Sequence, residues 1–185
     1  MLRKCIKLDG LTKALKSLPQ TLDETYERIL LSIDDENHND AFKVLQWLAF
    51  SARPVTLAEM VEALAVDFTN SRPQFDPDQR MPDPEDILVI CSSLVTTSNP
   101  ISAMEYQLKG DINNGKDYHR STFISGNREV KLAHFSVKEY LTGERIQQGS
   151  ALHYSFNQKL ADTLIAQTCL AYLLQFDEKI GRAHV

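Results

Sequence analysis

The chain has 185 residues, of which 43% are hydrophobic, and a formal net charge of -5 at pH 7. This size and apolar content allow one domain or slightly more, while the acidic balance argues against a nucleic-acid partner. No apolar run approaches the roughly 20 residues of a membrane span, and three scattered cysteines favour a reducing compartment. We therefore expect a cytoplasmic protein with no membrane partner and no nucleic-acid partner.

Residues 1–36 are predicted to form a helical hairpin. Leucines recur at helical spacing from Leu8 to Leu18, and a proline then ends this first helix. Thr21, followed three residues later by Glu24, has the spacing of a capping box and predicts the start of the second helix.

Two amphipathic helices are expected after the hairpin. The apolar residues within about residues 40–51 cover most of the helix surface, as in a helix that is buried on two sides. Thr56 and Glu59 have the capping-box spacing and predict the start of the next helix. Residues 68–84 are rich in Pro, Asp, Asn, Ser and Gln, which predicts a surface loop.

A third helix and two strands complete this region. The helix is expected over about residues 84–94, with proline and acidic residues in its first turn. Residues 94–98 and 129–134 are strand-like, and the stretch between them is long and polar. Three helices followed by a two-stranded hairpin predict a winged-helix domain over residues 38–146, with residues 99–127 as an unusually long wing.

The passage from strand to helix at residues 130–141 points most directly to a function. Ser136 is a suitable N-cap, with Glu139 at the capping-box position. His134 would then lie beside backbone N–H groups that the helix leaves unpaired, where a histidine can meet an anion. The alternative is a structural histidine whose hydrogen bonds serve only the fold.

Residues 150–177 predict the start of a further helical segment, whose helix would run from Tyr154 to Phe176. Residues 179–185 follow it abruptly and can be back-translated as a common sequencing-adapter read, so we expect them to be a non-native tail. Together the elements predict a mostly α chain: a helical linker, a winged helix and a further helical segment.

Motifs that carry catalysis are absent from the sequence. It contains no G-x-x-x-x-G-K-[ST] phosphate loop and no G-x-S-x-G nucleophile elbow. Its five histidines lack metal-ligand spacing with one another or with the cysteines. We therefore expect no enzyme activity, no metal and no cofactor in this chain.

Four basic residues could form a modest phosphate-binding group, with solvated surface charges as the alternative: Arg128, Lys131, Lys138 and Arg145.

Three segments resemble fungal NOD-like receptors that carry a NACHT nucleotide-binding domain. Residues 18–30, LPQTLDETYERIL, are similar to the segment that follows the NACHT domain. Residues 53–66, RPVTLAEMVEALAV, are similar to part of the winged helix of these receptors, which is often labelled after GPI inositol-deacylase. Residues 130–141, VKLAHFSVKEYL, are similar to its closing segment, and the three segments occur in the family order.

The resemblance implies a non-catalytic regulatory module of a STAND-type signal-transduction NTPase, of the kind used in fungal innate immunity or heterokaryon incompatibility. The module would close over a NACHT domain that precedes residues 1–36 and hold it inactive. The parent protein would bind ADP or ATP, carry a repeat array such as ankyrin repeats, and oligomerise on activation. By motif position, His134 would contact the nucleotide diphosphate.

Two alternatives remain open. A DNA-binding winged helix would use a recognition helix over about residues 83–93, but that stretch contains no Lys or Arg, although phosphate contacts dominate affinity for DNA. A hydrolase ranks last because no nucleophile motif is present, and the inositol-deacylase label does not imply that activity.

Overall fold

The computed structural model of the protein describes residues 21–98 and 128–182, with side chains described as far as Phe176. Most of this part of the chain is helical, as the sequence predicts. The first helix of the predicted hairpin, the predicted wing at residues 99–127 and the last residues of the predicted tail, 183–185, lie outside the described residues.

Helices α1 (Leu22–Leu30) and α2 (His38–Phe50) begin the described chain and are joined by a short 3₁₀ turn at Asp35–Asn37. Thr21 caps α1 as predicted, since its hydroxyl oxygen accepts a hydrogen bond from the backbone N–H of Glu24 at 3.2 Å. Helix α2 is buried around most of its circumference, which agrees with its broad apolar surface. Its buried side chains are Ala41, Lys43, Val44, Leu45, Gln46 and Ala49.

Helix α3 (Leu57–Leu64) starts with the predicted capping box. The Thr56 hydroxyl accepts from the N–H of Glu59, and the Glu59 carboxylate accepts from the N–H of Thr56. Helix α4 (Asp86–Ile90) is shorter than predicted, because the chain turns at Ser92, whose φ of 47° lies in the left-handed region. A 3₁₀ turn at Ser92–Leu94 then leads into the sheet.

The sheet has three antiparallel strands in the order β1 (Val55–Thr56), β5 (Glu129–Leu132), β4 (Val95–Ser98). The predicted pairing of the last two strands is confirmed, with Val95 opposite Leu132 and Ser98 opposite Glu129. The edge strand β1 adds a pair that the sequence did not indicate.

A second, smaller ladder corrects the prediction of a loop over residues 68–84. Strand β2 (Val66–Asp67) pairs with strand β3 (Gln74–Phe75), which lies inside that segment. A 3₁₀ turn at Pro77–Gln79 follows, capped by the side chain of Asp76. Two-residue strands have too few positions to show the alternating pattern that identifies a strand in a sequence.

Three further helices close the fold: α5 (Phe135–Thr142), α6 (Glu144–Gln147) and α7 (Gln158–Arg182). The predicted N-cap at Ser136 is wrong, because α5 already begins at Phe135 and its cap is His134. The last helix was expected from Tyr154, but a 3₁₀ turn occupies Leu152–Tyr154. Helix α7 starts later because Asn157 caps it, its side-chain oxygen accepting from the N–H of Leu160 at 3.0 Å.

One hydrophobic core connects α1 with the sheet and with helices α2 to α6. Its largest fully buried side chains include Leu30, Leu45, Leu57, Met60, Ile87, Leu94, Leu141, Ile146 and Tyr154. Trp47 packs against this core, as expected of a tryptophan on a buried helix. Helix α7 lies against α2, α3 and the small ladder. No helix in the described ranges is long and apolar enough to cross a membrane.

Candidate functional site

His134 lies where β5 passes into α5, as predicted. The N–H of Ala133 donates to the carbonyl of Leu94 at 2.9 Å, so the chain stays attached to β4 just beyond the end of β5. His134 itself is extended, with φ -150° and ψ 150°. This geometry lets its imidazole fold back over the first turn of α5, where Nδ1 accepts a hydrogen bond from the N–H of Ser136 at 3.2 Å.

A relay of hydrogen bonds holds the imidazole in place. The hydroxyl of Tyr26, on α1, lies 2.7 Å from Oγ of Ser136, and that oxygen lies 2.7 Å from Nδ1 of His134. Because a backbone N–H can only donate, Nδ1 must accept, and the proton of the neutral ring is therefore on Nε2. Donation then runs from Tyr26 through Ser136 to His134, and Nε2–H remains as the outward donor.

The outer surface of this junction is aromatic. Phe135 is 68% exposed, and its ring centroid lies 4.4 Å from that of His134. This exposed aromatic pair is a candidate contact surface of the junction. Beneath it, Tyr26 and Tyr140 pack with ring centroids 5.7 Å apart, and burial raises the pKa of Tyr140.

The contact between Ser136 and His134 has the distance of a nucleophile and its base, but the arrangement is different. In a catalytic triad the third group orients the histidine through its second nitrogen. Here the third group, Tyr26, contacts the serine instead. The contacts therefore form a relay that ends on the imidazole, which fixes the orientation of the ring rather than activating the hydroxyl.

The predicted group of basic residues does not assemble. Arg128 forms an ion pair with Glu85, and Arg145 forms one with Asp23 at 2.5 Å. Lys138 donates to the carbonyl of Ala49 at 2.5 Å and lies over the ring of Phe50. The remaining member, Lys131, is exposed on β5. These charges stabilise separate contacts between elements, which favours the alternative of dispersed surface charges.

Sequence reasoning missed Tyr26 and Phe135 as parts of this site. Tyr26 is 110 residues away from Ser136, and no local pattern links them. Phe135 was an apolar residue in a strand-like run, which gives no sign that its ring faces solvent.

Within the described part of the chain, no group of three or more His, Cys, Asp or Glu side chains is arranged to hold a metal ion.

Residues 26–103 match the family model described as GPI inositol-deacylase, winged helix domain. The match covers less than half of the chain and agrees with the winged-helix fold of the described residues. It includes most of α1 and extends past β4, so β5 and His134 lie beyond the matched range.

One curated relative covers most of the chain. It is the azaphilone pigments biosynthesis cluster protein L of Monascus ruber, which is 40% identical over 161 residues. The alignment covers 87% of this chain but 30% of that protein. The chain is thus similar to about a third of a longer protein. No solved structure matches the chain.

Proposed function

We propose that this chain is a non-catalytic regulatory module of a STAND-type signal-transduction NTPase, which closes over a nucleotide-binding domain and holds an inactive state. The observation that carries the proposal is the outward Nε2–H of His134, beside the exposed ring of Phe135, at the edge of a winged-helix domain. Three segments that resemble NACHT receptors, one before the winged helix and two within it, support the proposal. The intramolecular partners would be a NACHT domain and a repeat array.

The mechanism is a shift between two populations. A histidine N–H directed at an ADP phosphate favours only the state in which the module is closed, and release of that contact favours the open, oligomerising state. A hydrogen bond to a charged group contributes about 1.5–3 kcal/mol. Loss of the His134 contact should therefore weaken ADP retention by about one to two orders of magnitude.

The substitution H134N separates the nucleotide contact from the structural role of the histidine. Asparagine is a good N-cap and can accept from the N–H of Ser136, but its shorter side chain does not present Nε2–H. The full-length protein should carry less bound ADP with H134N than without it. Nucleotide extracted from the purified protein, quantified by chromatography, measures this.

H153Q is the matched control, since His153 is also exposed but lies after α6, away from the start of α5. ADP occupancy should be unchanged in H153Q. Equal occupancy in wild type and H134N would contradict the role of His134. The absence of a phosphate-binding loop in the coding sequence upstream of residue 1 would contradict the whole proposal.

No feature within residues 21–98 and 128–176 favours the DNA-binding alternative. Helix α4 has five residues, begins with Asp86 and contains no basic side chain. The neighbouring Arg128 is engaged by Glu85. A titration of duplex DNA followed by fluorescence anisotropy at low salt should show no salt-sensitive binding. Micromolar binding that weakens steeply with salt would favour the DNA-binding function instead.

A further inference from the structure

Two histidines that are 115 residues apart meet on the side of the molecule where α7 joins the core. His38 is the first residue of α2, and His153 lies in the 3₁₀ turn Leu152–Tyr154 that precedes α7. Their Nε2 atoms lie 3.3 Å apart, and their ring centroids lie 4.5 Å apart. His38 is half-buried and His153 is exposed, so solvent reaches the pair.

The distance between the two nitrogens fits a shared metal ion. Zinc binds histidine nitrogen at about 2.0–2.1 Å in tetrahedral geometry, which places two such nitrogens about 3.3–3.4 Å apart. A direct hydrogen bond from nitrogen usually has a length of about 2.9–3.0 Å. The observed 3.3 Å is within the range of a long hydrogen bond between the two rings, and it also equals the edge of a zinc tetrahedron.

The surroundings hold both rings in position and favour the neutral form of His153. The buried ring of Tyr154 meets His38 edge-on at 5.0 Å and His153 at 4.4 Å, so a fixed aromatic wall supports both imidazoles. Burial and the neighbouring ring of His38 lower the pKa of His153, against the opposing effect of Asp35. A neutral imidazole has the free electron pair that a metal needs. The negative charge of Asp35 attracts a cation to the same place.

We propose that His38 and His153 bind a divalent transition-metal ion such as Zn²⁺ through their Nε2 atoms, with water completing the coordination. The ion would connect the start of α2 to the turn that leads into α7. No third side chain of the described residues completes a ligand set. The affinity is therefore lower than that of a four-ligand structural site, and the ion exchanges with solvent.

Isothermal titration of the full chain with Zn²⁺ tests the site directly. We expect binding that weakens at least tenfold in H38Q and in H153Q. H134N is the control, because it removes an exposed imidazole elsewhere on the molecule and retains an N-cap for α5, and its affinity should equal that of wild type. Binding of equal affinity in H38Q and H153Q, or no binding to wild type, would overturn the proposal.

A measurement on the wild-type chain makes the test independent of how the variants fold. Proton–nitrogen NMR of the imidazole rings shows which histidines respond when Zn²⁺ is added. We expect the ring signals of His38 and His153 to change together, while those of His134 stay in place. Changes confined to other histidines, or no change, would show that the two nitrogens do not share an ion. Circular dichroism without metal should be the same for wild type, H38Q and H153Q.

Discussion

The structural role of His134 and its proposed role involve different nitrogens of one ring. Its Nδ1 caps α5, and the proposed partner contact would use Nε2. Loss of an N-cap costs a helix about 1 kcal/mol, so an alanine at this position would disturb both the helix and any partner contact. A test of the partner contact therefore needs a residue that retains the cap, and this is why asparagine is the informative replacement.

The two cysteines that the structure describes should differ sharply in reactivity. Cys91 is fully buried, and burial raises the pKa of its thiol to about 12, whereas Cys169 is exposed on α7. Because the thiolate is the reactive form, a C5S variant should show one fast thiol with Ellman's reagent at mildly alkaline pH. The second thiol should react only after unfolding in denaturant.

The variant C5S/C169S is the control for that assignment, since it should lose the fast reaction and keep the slow one. If Cys91 reacts in the folded protein as fast as Cys169, the core around α4 is more open than the structure shows.

The position of the candidate site could be predicted from the sequence, but the hydrogen bonds that hold His134 in place could not. A strand-like run followed by a helical pattern places His134 at a junction, and the structure confirms that place. The identity of the cap was mispredicted because serine is by general preference the better N-cap. Tyr26 determines which residue caps α5, because its hydroxyl contacts Ser136 and His134 is left as the cap. This contact depends on the tertiary fold.

At the scale of single elements, the capping box of α3 makes the stability of the fold depend on pH in the acidic range. The hydrogen bond from Arg53 is the main reason that the pKa of Glu59 is about 2 instead of 4.5, and the N–H and hydroxyl of Thr56 add to it. A carboxyl whose pKa is lower in the folded chain than in the unfolded chain stabilises the fold at pH values above its pKa in the unfolded chain. That stabilisation is lost as the pH falls from 4.5 towards about 2.

We therefore expect the urea midpoint of wild type to fall more steeply between these two pH values than the midpoint of E59Q, which has no carboxyl to titrate. R53A removes the largest cause of the shift, so its folded-state pKa lies closer to 4.5 and its stability should fall less over this pH range than that of wild type. Parallel curves for wild type and E59Q would show that this carboxylate does not stabilise α3.

Elements with their own local signals are the ones that the sequence predicts well. Helices α1 and α3 have threonine caps, and α2 has a broad apolar surface, so all of them are found near the expected residues. The strands β1, β2 and β3 have two residues each and form only because partners lie beside them. Helix α4 ends early because the chain turns at Ser92, and the two serines there are a weaker turn signal than glycine or proline.

At the scale of the whole molecule, α1 belongs to the core of the winged helix. Leu30 is completely buried, while the next residue, Leu31, is 48% exposed. Truncation of a buried leucine to alanine costs about 2–5 kcal/mol, and truncation of an exposed one usually costs less than about 0.5 kcal/mol. Equilibrium unfolding in urea should show this contrast between L30A and L31A.

The pair L30A and L31A is closely matched, since the two variants remove the same atoms from adjacent residues. Similar losses of stability in both would mean that α1 unfolds separately from the rest of the domain. A single cooperative transition with a lower midpoint in L30A alone is the result that the packing predicts.

The contacts of α1 also set a rule for recombination between related genes. Tyr26 bonds to Ser136, Asp23 pairs with Arg145, and the carboxylate of Glu27 accepts from the N–H of Ser150. A crossover between these partners would join one parent's α1 to the other parent's α5 and α6, and would leave mismatched groups in the contact. Chimeras should therefore survive selection mainly when residues 22–154 are inherited as one block.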